Sequence, residues 1–162
     1  MPVDPTAFRR VLCQFGSGVT VVTTKDGHGR SLGLTVTAFC AVSLEPPLVL
    51  VSVDHRSEAH VGFRDAGLFG VSILAEDQAE VSRRFAGGGA TKFAGMDLVE
   101  SDTGVPLIPG AIAHLECRVT ATHAAGDHVL YVGEVVSARV HPGRPLLYHD
   151  RDYRRLSEEP KG

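Results

Sequence analysis

Between Gly33 and Asp54 the hydrophobic and polar positions fall into two runs of different character. In the first, Val36, Ala38 and Cys40 alternate with Thr35, Thr37 and Phe39, the period of a half-buried strand. Glu45-Pro46-Pro47 then stops the pairing, because adjacent prolines fix the backbone and supply no amide donors. Leu48 to Val53 follows as a nearly continuous apolar run, which predicts a strand buried on both faces. The stretch therefore reads as two strands joined by a sharp turn. Thr35, Thr37, Ser43 and Ser52 place small hydroxyls beside accessible backbone, a combination able to cradle a phosphate or a polar ring edge.

The same patterning extends in both directions. Asp4-Pro5-Thr6 predicts a helix start, followed by a stripe of Phe8, Val11, Leu12 and Phe15 and ended by Gly16 and Gly18. Val19 to Thr24 is a β-branched run, and Lys25-Asp26-Gly27-His28-Gly29 a hairpin turn with Asp-Gly as its strongest signal. After Asp54, Ser57 suits an N-cap for a helix over 58–65, with Gly67 as its stop. The free amides at that helix start would face the threonines and offer an anion site, or Ser57 simply caps the helix with nothing bound. Residues 68–74 read as a buried strand and 76–86 as a short amphipathic helix with Ala79, Val81 and Phe85 on its apolar face. Gly87-Gly88-Gly89 predicts a mobile loop, and 93–110 a loop-rich stretch able to lie against a partner chain. Residues 111–122 and 129–140 are long strand patterns around the turn 124–128, and their length suggests curvature or barrel closure. Residues 145–149 form a short strand, 151–156 a last ordered piece and 157–162 a frayed tail. No repeat or linker divides the chain, so one β-dominated domain over 1–162, a small barrel with short helices, is expected.

Composition narrows the function. A chain of 162 residues with 43% hydrophobic and 22% charged residues can build its own core without disulfides or metals. The formal charge of −3, with scattered basic residues, gives no footprint for nucleic acid. No apolar run approaches the roughly 20 residues of a membrane span, and the start lacks a secretory pattern, so a cytoplasmic protein is expected. Cys13, Cys40 and Cys117 have no close spacing and read as small buried hydrophobes in a reducing compartment.

Candidate chemistry is sparse. His123 with His128, or His55 with His60, could meet in space, but no HExxH or Cys-x-x-Cys pattern accompanies them and no metal is expected. The glycines before Ala90-Thr91-Lys92 lack phosphate-loop spacing, and Gly16-Ser17-Gly18 is not a nucleophile elbow. His128, closing a turn at the barrel mouth, either hydrogen-bonds a ligand or is satisfied by water. Arg151, Tyr153, Arg154 and Arg155 form either a solvated tail or a ligand contact.

Taken together, several pieces carry a resemblance that covers nearly the whole chain. They are Phe8-Arg9-Arg10 leading into 16–24, Gly33-Leu34-Thr35-Val36-Thr37-Ala38-Phe39, and Val42-Ser43-Leu44-Glu45-Pro46-Pro47. Phe85-Ala86 with Lys92-Phe93, Gly126-Asp127-His128 with Gly133-Glu134-Val135, and Pro145-Leu146-Leu147-Tyr148 complete the set. In order and spacing the chain resembles the short-chain flavin reductases, the reductase components of two-component flavin monooxygenases. The resemblance implies a Greek-key antiparallel split β-barrel that binds FMN, with FAD or riboflavin as alternatives, and uses NADH or NADPH as hydride donor. It implies that Gly33, Leu34, Thr35, Val36, Thr37, Ala38 and Phe39 serve the flavin ring and phosphate. Ser52, Val53, Asp54 and Ser57 would wrap the ribityl-phosphate end, with Phe85, Lys92 and Tyr153 near the flavin. His128 would lie where nicotinamide stacks, as the one catalytic candidate. It also implies a homodimer that supplies reduced flavin to a flavin-dependent monooxygenase. The same barrel would serve a tight flavin-binding protein without nicotinamide activity, or a flavin-free interaction module.

Overall fold

The computed structural model describes residues 2–157; Met1 and residues 158–162, which hold most of the expected frayed tail, lie outside the described residues. The chain opens with α1 (Pro5–Leu12), whose Asp4 carboxylate accepts a hydrogen bond from the Ala7 amide at 2.9 Å with Pro5 beginning the helix. β1 (Ser17–Gly18) is followed by the hairpin of β2 (Thr20–Lys25) and β3 (Ser31–Val36). Its connection is built by the Asp26 side chain, which accepts from the His28 and Arg30 amides. The positive φ falls at Gly29, so the Asp-Gly pair does not form the tight two-residue turn it signals.

Three strands, not two, come from the central stretch: β3, then β4 (Phe39–Leu44), then β5 (Pro47–Asp54). β4 pairs with β5, with Pro47 admitted as the first residue of its strand opposite Leu44. β5 alternates, with Val49, Val51 and Val53 buried and Leu48, Leu50, Ser52 and Asp54 half-buried, so it is not fully buried on both faces. Next come α2 (Ala59–Ala66), stopped by Gly67 in the left-handed region, β6 (Leu68–Ile73) and α3 (Ala79–Ala86). β7 (Ala113–Ala125) and β8 (His128–Val140) form the long hairpin, with Gly126 at φ 65 in its two-residue turn. Two register shifts in β7, at Glu116/Cys117 and Val119/Ala121, bend that pair. β9 (Leu147–His149) and β10 (Asp152–Arg154) finish the described chain.

Seven strands make one antiparallel sheet in the order β3-β2-β6-β7-β8-β5-β4, and β1-β9-β10 make a second. β3 and β4 are successive in the chain yet occupy opposite edges. The sheet curls until β3 lies against β5, and the Ser52 amide donates to the Ala38 carbonyl at 3.2 Å across the gap. No ladder closes β3 to β5, which leaves the barrel split at the stretch the sequence singles out. Inside it pack Val22, Val51, Val53, Phe63, Phe69 and Tyr131. Val21, one residue along β2 and on its other face, joins Val19, Leu74, Phe85, Ile108 and Leu146 beneath α3 and the small sheet. Of the cysteines only Cys117 is buried; Cys13 is half-buried and Cys40 lies exposed on β4, because that edge strand carries no covering layer.

Candidate functional site

Where the barrel splits, a cavity of about 580 Å³ opens between three stretches of chain. Residues 30–35 along β3 form one wall, Asp54 and residues 56–59 the end before α2, and residues 85–90 with Lys92 and Phe93 the other wall. Its size is that of a small-molecule site. Gly33, Leu34, Thr35, Asp54, Ser57, Phe85 and Lys92, all expected at the cofactor, are brought together here.

Each is held by a distinct contact. Thr35 Oγ1 donates to the Ser82 carbonyl of α3 at 2.6 Å, so its hydroxyl proton is committed and its lone pairs remain for a ligand. Gly33 has no room for a side chain: a Cβ there would lie 2.9 Å from the Phe85 ring. Phe85 itself is buried against Phe93, with ring centroids 5.0 Å apart, and supports the wall more than it borders the space. Lys92 Nζ donates to the Gly33 carbonyl at 3.1 Å and the Phe85 carbonyl at 3.4 Å. Burial lowers its pKa, with the Glu58 charge opposing. Among the described residues no carboxylate lies within ion-pair distance of this ammonium, so it faces the cavity with charge to spare. Ser57 stands one residue before the N-cap rather than at it; its Oγ accepts weakly from the Ala59 amide at 3.3 Å, and Glu58 caps without a side-chain bond. Asp54 is gripped by Arg56 through side-chain bonds as short as 2.7 Å and through the Arg56 amide at 2.8 Å, which hold its carboxyl well below the usual range.

The other expected residues lie elsewhere. Thr37 and Ala38 are exposed on the crossing from β3 to β4, and Phe39 begins β4 half-buried. Ser52, half-buried, is tied to that crossing through Ala38. Val36 and Val53 point into the core, so only their backbone can meet a ligand. Tyr153 does not border the cavity; its hydroxyl donates to Ser82 Oγ at 2.8 Å, and Arg83 lies over its ring at 4.9 Å. His128 opens β8 opposite Asp54, and its Nδ1 meets Asp127 Oδ1 at 2.7 Å, a bond that lowers the Asp127 pKa. His123 opposes Leu130 rather than His128. His55 and His60 do meet, ring against ring at 5.3 Å, with His60 Nδ1 2.8 Å from the Tyr131 hydroxyl. Among the described residues no cluster of three potential ligands could hold a metal ion.

Sequence reasoning missed Arg30, Ser31, Glu58 and Ala59 as lining, and the role of residues 86–90 as a wall. The glycine triplet between two recognised pieces was a usable signal for the last of these. Nothing local marks Arg30. Ser82 was missed too, although it receives both Thr35 and Tyr153 and is fully buried.

The likeness to known proteins extends over the whole of this framework. Residues 12–157 match the model of the flavin reductase like domain. The FMN reductase (NADH) SmoA of Agrobacterium fabrum is 42% identical over 153 residues, covering 94% of this chain and 87% of that protein. The reductase subunit HsaB of a flavin-dependent monooxygenase from Rhodococcus jostii is 40% identical over 152 residues, covering 93% and 77%. The solved structure of the Streptomyces globisporus NADH:FAD oxidoreductase SgcE6 superposes with a TM-score of 0.90 at 36% identity, covering 98% of each chain.

Proposed function

Because the chain belongs to the flavin reductase like domain family, we propose that it oxidises NADH and reduces FMN or FAD, supplying reduced flavin to a flavin-dependent monooxygenase. The observation that carries the site is the convergence of Thr35, Ser57 and Lys92 on one cavity, with the Lys92 ammonium held by carbonyls alone among the described residues. A half-buried cation of this kind is best satisfied by an anion such as a phosphate. The donor set fits a phosphorylated flavin.

A bound flavin would supply the hydride acceptor, its N5, for a hydride given up by nicotinamide C4. The protein binds and orients. Lys92 and Ser57 hold the phosphate, and residues 33–35 line the tail. The exposed crossing at Thr37, Ala38 and Phe39, fixed by the Ser52–Ala38 bond, is the shelf for the ring. Asp127 occupies His128 Nδ1, which leaves Nε2 free to orient a nicotinamide. Phe85 and Tyr153 act from behind, Phe85 through packing and Tyr153 through Ser82 on Thr35.

Residues 1–162 work as one domain, and a second copy of the chain completes it. Two features support the homodimer. α1 buries none of its residues although Phe8, Val11 and Leu12 are apolar, and Phe15 just past it is exposed as well. β4 presents an open edge with Val42 and Leu44 exposed, a strand that soluble proteins usually cover. Reliance on NADH and the three free thiols support a reading of the protein as cytoplasmic. Among the described residues no helix is long and apolar enough to cross a membrane.

Steady-state NADH oxidation, with and without added FMN or FAD, tests the activity. Flavin-dependent turnover is expected. A yellow protein inert to NADH would instead mean a flavin carrier, and a colourless one that leaves flavin fluorescence unchanged would mean an interaction module.

A further inference from the structure

Lys92 lies in the middle of a short turn that follows a segment with no side chain to hold it. Residues 86–90 read Ala86-Gly87-Gly88-Gly89-Ala90, and none of these side chains can make a hydrogen bond. The turn runs from Thr91 to Ala94 and is closed by the Ala94 amide, which donates to the Thr91 carbonyl at 3.0 Å. Its two central residues meet different neighbours. Phe93 packs on Phe85 with ring centroids 5.0 Å apart, while Lys92 Nζ donates to the Gly33 carbonyl at 3.1 Å and the Phe85 carbonyl at 3.4 Å. An ammonium has three protons to donate, so these two bonds leave one for a ligand. Where that proton points depends on where the turn is held.

A second cation holds it. Arg84, in the last turn of α3, donates from Nη2 to the Thr91 carbonyl at 2.9 Å and also to the Ala94 carbonyl. It therefore grips both ends of the turn that carries Lys92. Arg84 is exposed and does not line the cavity, and among the described residues its guanidinium has no carboxylate partner. An arginine bound to backbone carbonyls fixes a backbone shape rather than another charge. We propose that Arg84 is a positioning residue for the flavin phosphate, clamping the 91–94 turn from outside the cavity so that the Lys92 ammonium stands at a fixed point of the wall. This role rests on the reading of the cavity as a flavin site and adds to it a residue that the ligand does not touch. The Phe85–Phe93 contact is independent of the clamp, so the turn stays docked on α3 without Arg84 and only the setting of Lys92 is lost.

FMN, and riboflavin, which lacks the phosphate, are titrated by fluorescence into the wild-type protein, Arg84→Ala, Arg84→Lys, Lys92→Met and the double variant of Arg84→Ala with Lys92→Met. Arg84→Ala is expected to weaken FMN binding about tenfold, the scale of one hydrogen bond to a charged group, and riboflavin binding by less than about twofold. The KM for FMN should rise with the Kd while kcat at saturating FMN holds, because the ring is held elsewhere. Arg84→Lys, which keeps the charge and can still reach a carbonyl, should recover part of the loss. In the double variant Arg84→Ala should add nothing to Lys92→Met, since a clamp has no effect once the ammonium it sets is gone. Thermal melts report folding separately. Equal weakening of FMN and riboflavin, or additive losses in the double variant, would make Arg84 a merely structural residue and overturn the clamp. Unchanged FMN affinity in Arg84→Ala beside a clear loss in Lys92→Met would overturn it too, with the phosphate still placed at Lys92. If Lys92→Met itself leaves FMN affinity unchanged, the phosphate is not at Lys92, and the reading of the site fails together with the clamp.

Discussion

At the scale of single residues, the site depends on which polar groups are already spent. Thr35 has given its proton to Ser82, and Ser57 makes only a long contact to Ala59, so Ser57 retains most of its capacity for a ligand. Ser57→Ala is expected to weaken FMN binding by about 1–2 kcal/mol, the worth of one hydrogen bond to a charged group. Unchanged affinity in a fluorescence titration would remove the phosphate from that helix start. His128→Ala should slow NADH-dependent reduction while leaving flavin affinity nearly intact, because His128 borders Asp54 and not the cavity. Loss of both in parallel would put the imidazole in the flavin site. His114 lies outside the site but sets a pH response. It is buried, with Nε2–H donating to the Ile108 carbonyl at 2.8 Å and Nδ1 3.2 Å from His141 Nε2. Burial lowers its pKa below the ordinary 6.5; the Ile108 bond and Glu116 oppose this, while His141 and Arg139 reinforce it. The unfolded chain therefore binds this proton more readily than the folded one, and stability falls as pH drops from about 6.5 toward the depressed folded value. Urea melts on either side of that window should show a smaller difference for His114→Gln; an identical difference would trace the slope to other groups.

At the scale of elements, the cavity is a joint between β3, α3 and the glycine-rich wall. Gly33 is where they touch: Phe85 packs on its Cα and Lys92 bonds its carbonyl. Gly33→Ala should cost about 1–3 kcal/mol in a denaturant melt, because the ring must shift by several tenths of an ångström in a filled core. It should also weaken flavin binding by displacing Lys92. A variant of full stability and affinity would show that the joint yields freely. The elements themselves were largely legible. Asp4-Pro5 marks the helix start as expected, and Gly126 turns the long hairpin. The break at Thr37-Ala38 was not legible, since the alternation of apolar and polar residues runs through it without interruption. What breaks the strand there is the distance between the two sheet edges it must join, a property of pairings made elsewhere in the chain.

At the scale of the whole molecule, the exposed apolar stripe of α1 and the open β4 edge call for a partner, and a second copy is the proposed one. Phe15 is 80% exposed and Leu44 91% exposed. Leu44→Asp, a change that disturbs no buried contact, is expected to convert a dimer into a monomer in analytical ultracentrifugation. Flavin affinity should fall with it, because the shelf at Thr37 and Ala38 would lose its cover. A wild-type protein that sediments as a monomer would end the homodimer proposal.

The sequence by itself determined most of the strands and helices, the Pro46-Pro47 stop and the family, because these follow from local periodicity, backbone restriction and the order of short motifs. It also placed Thr35, Ser57, Phe85 and Lys92 in one site. Only the tertiary structure decided that Thr37 lies outside the cavity on an exposed crossing, that Thr35 is tied to Ser82, and that Arg30 lines the cavity. These outcomes depend on which strands become neighbours when the sheet curls, and chain-distant pairings leave no periodic trace in the residues that they bring together.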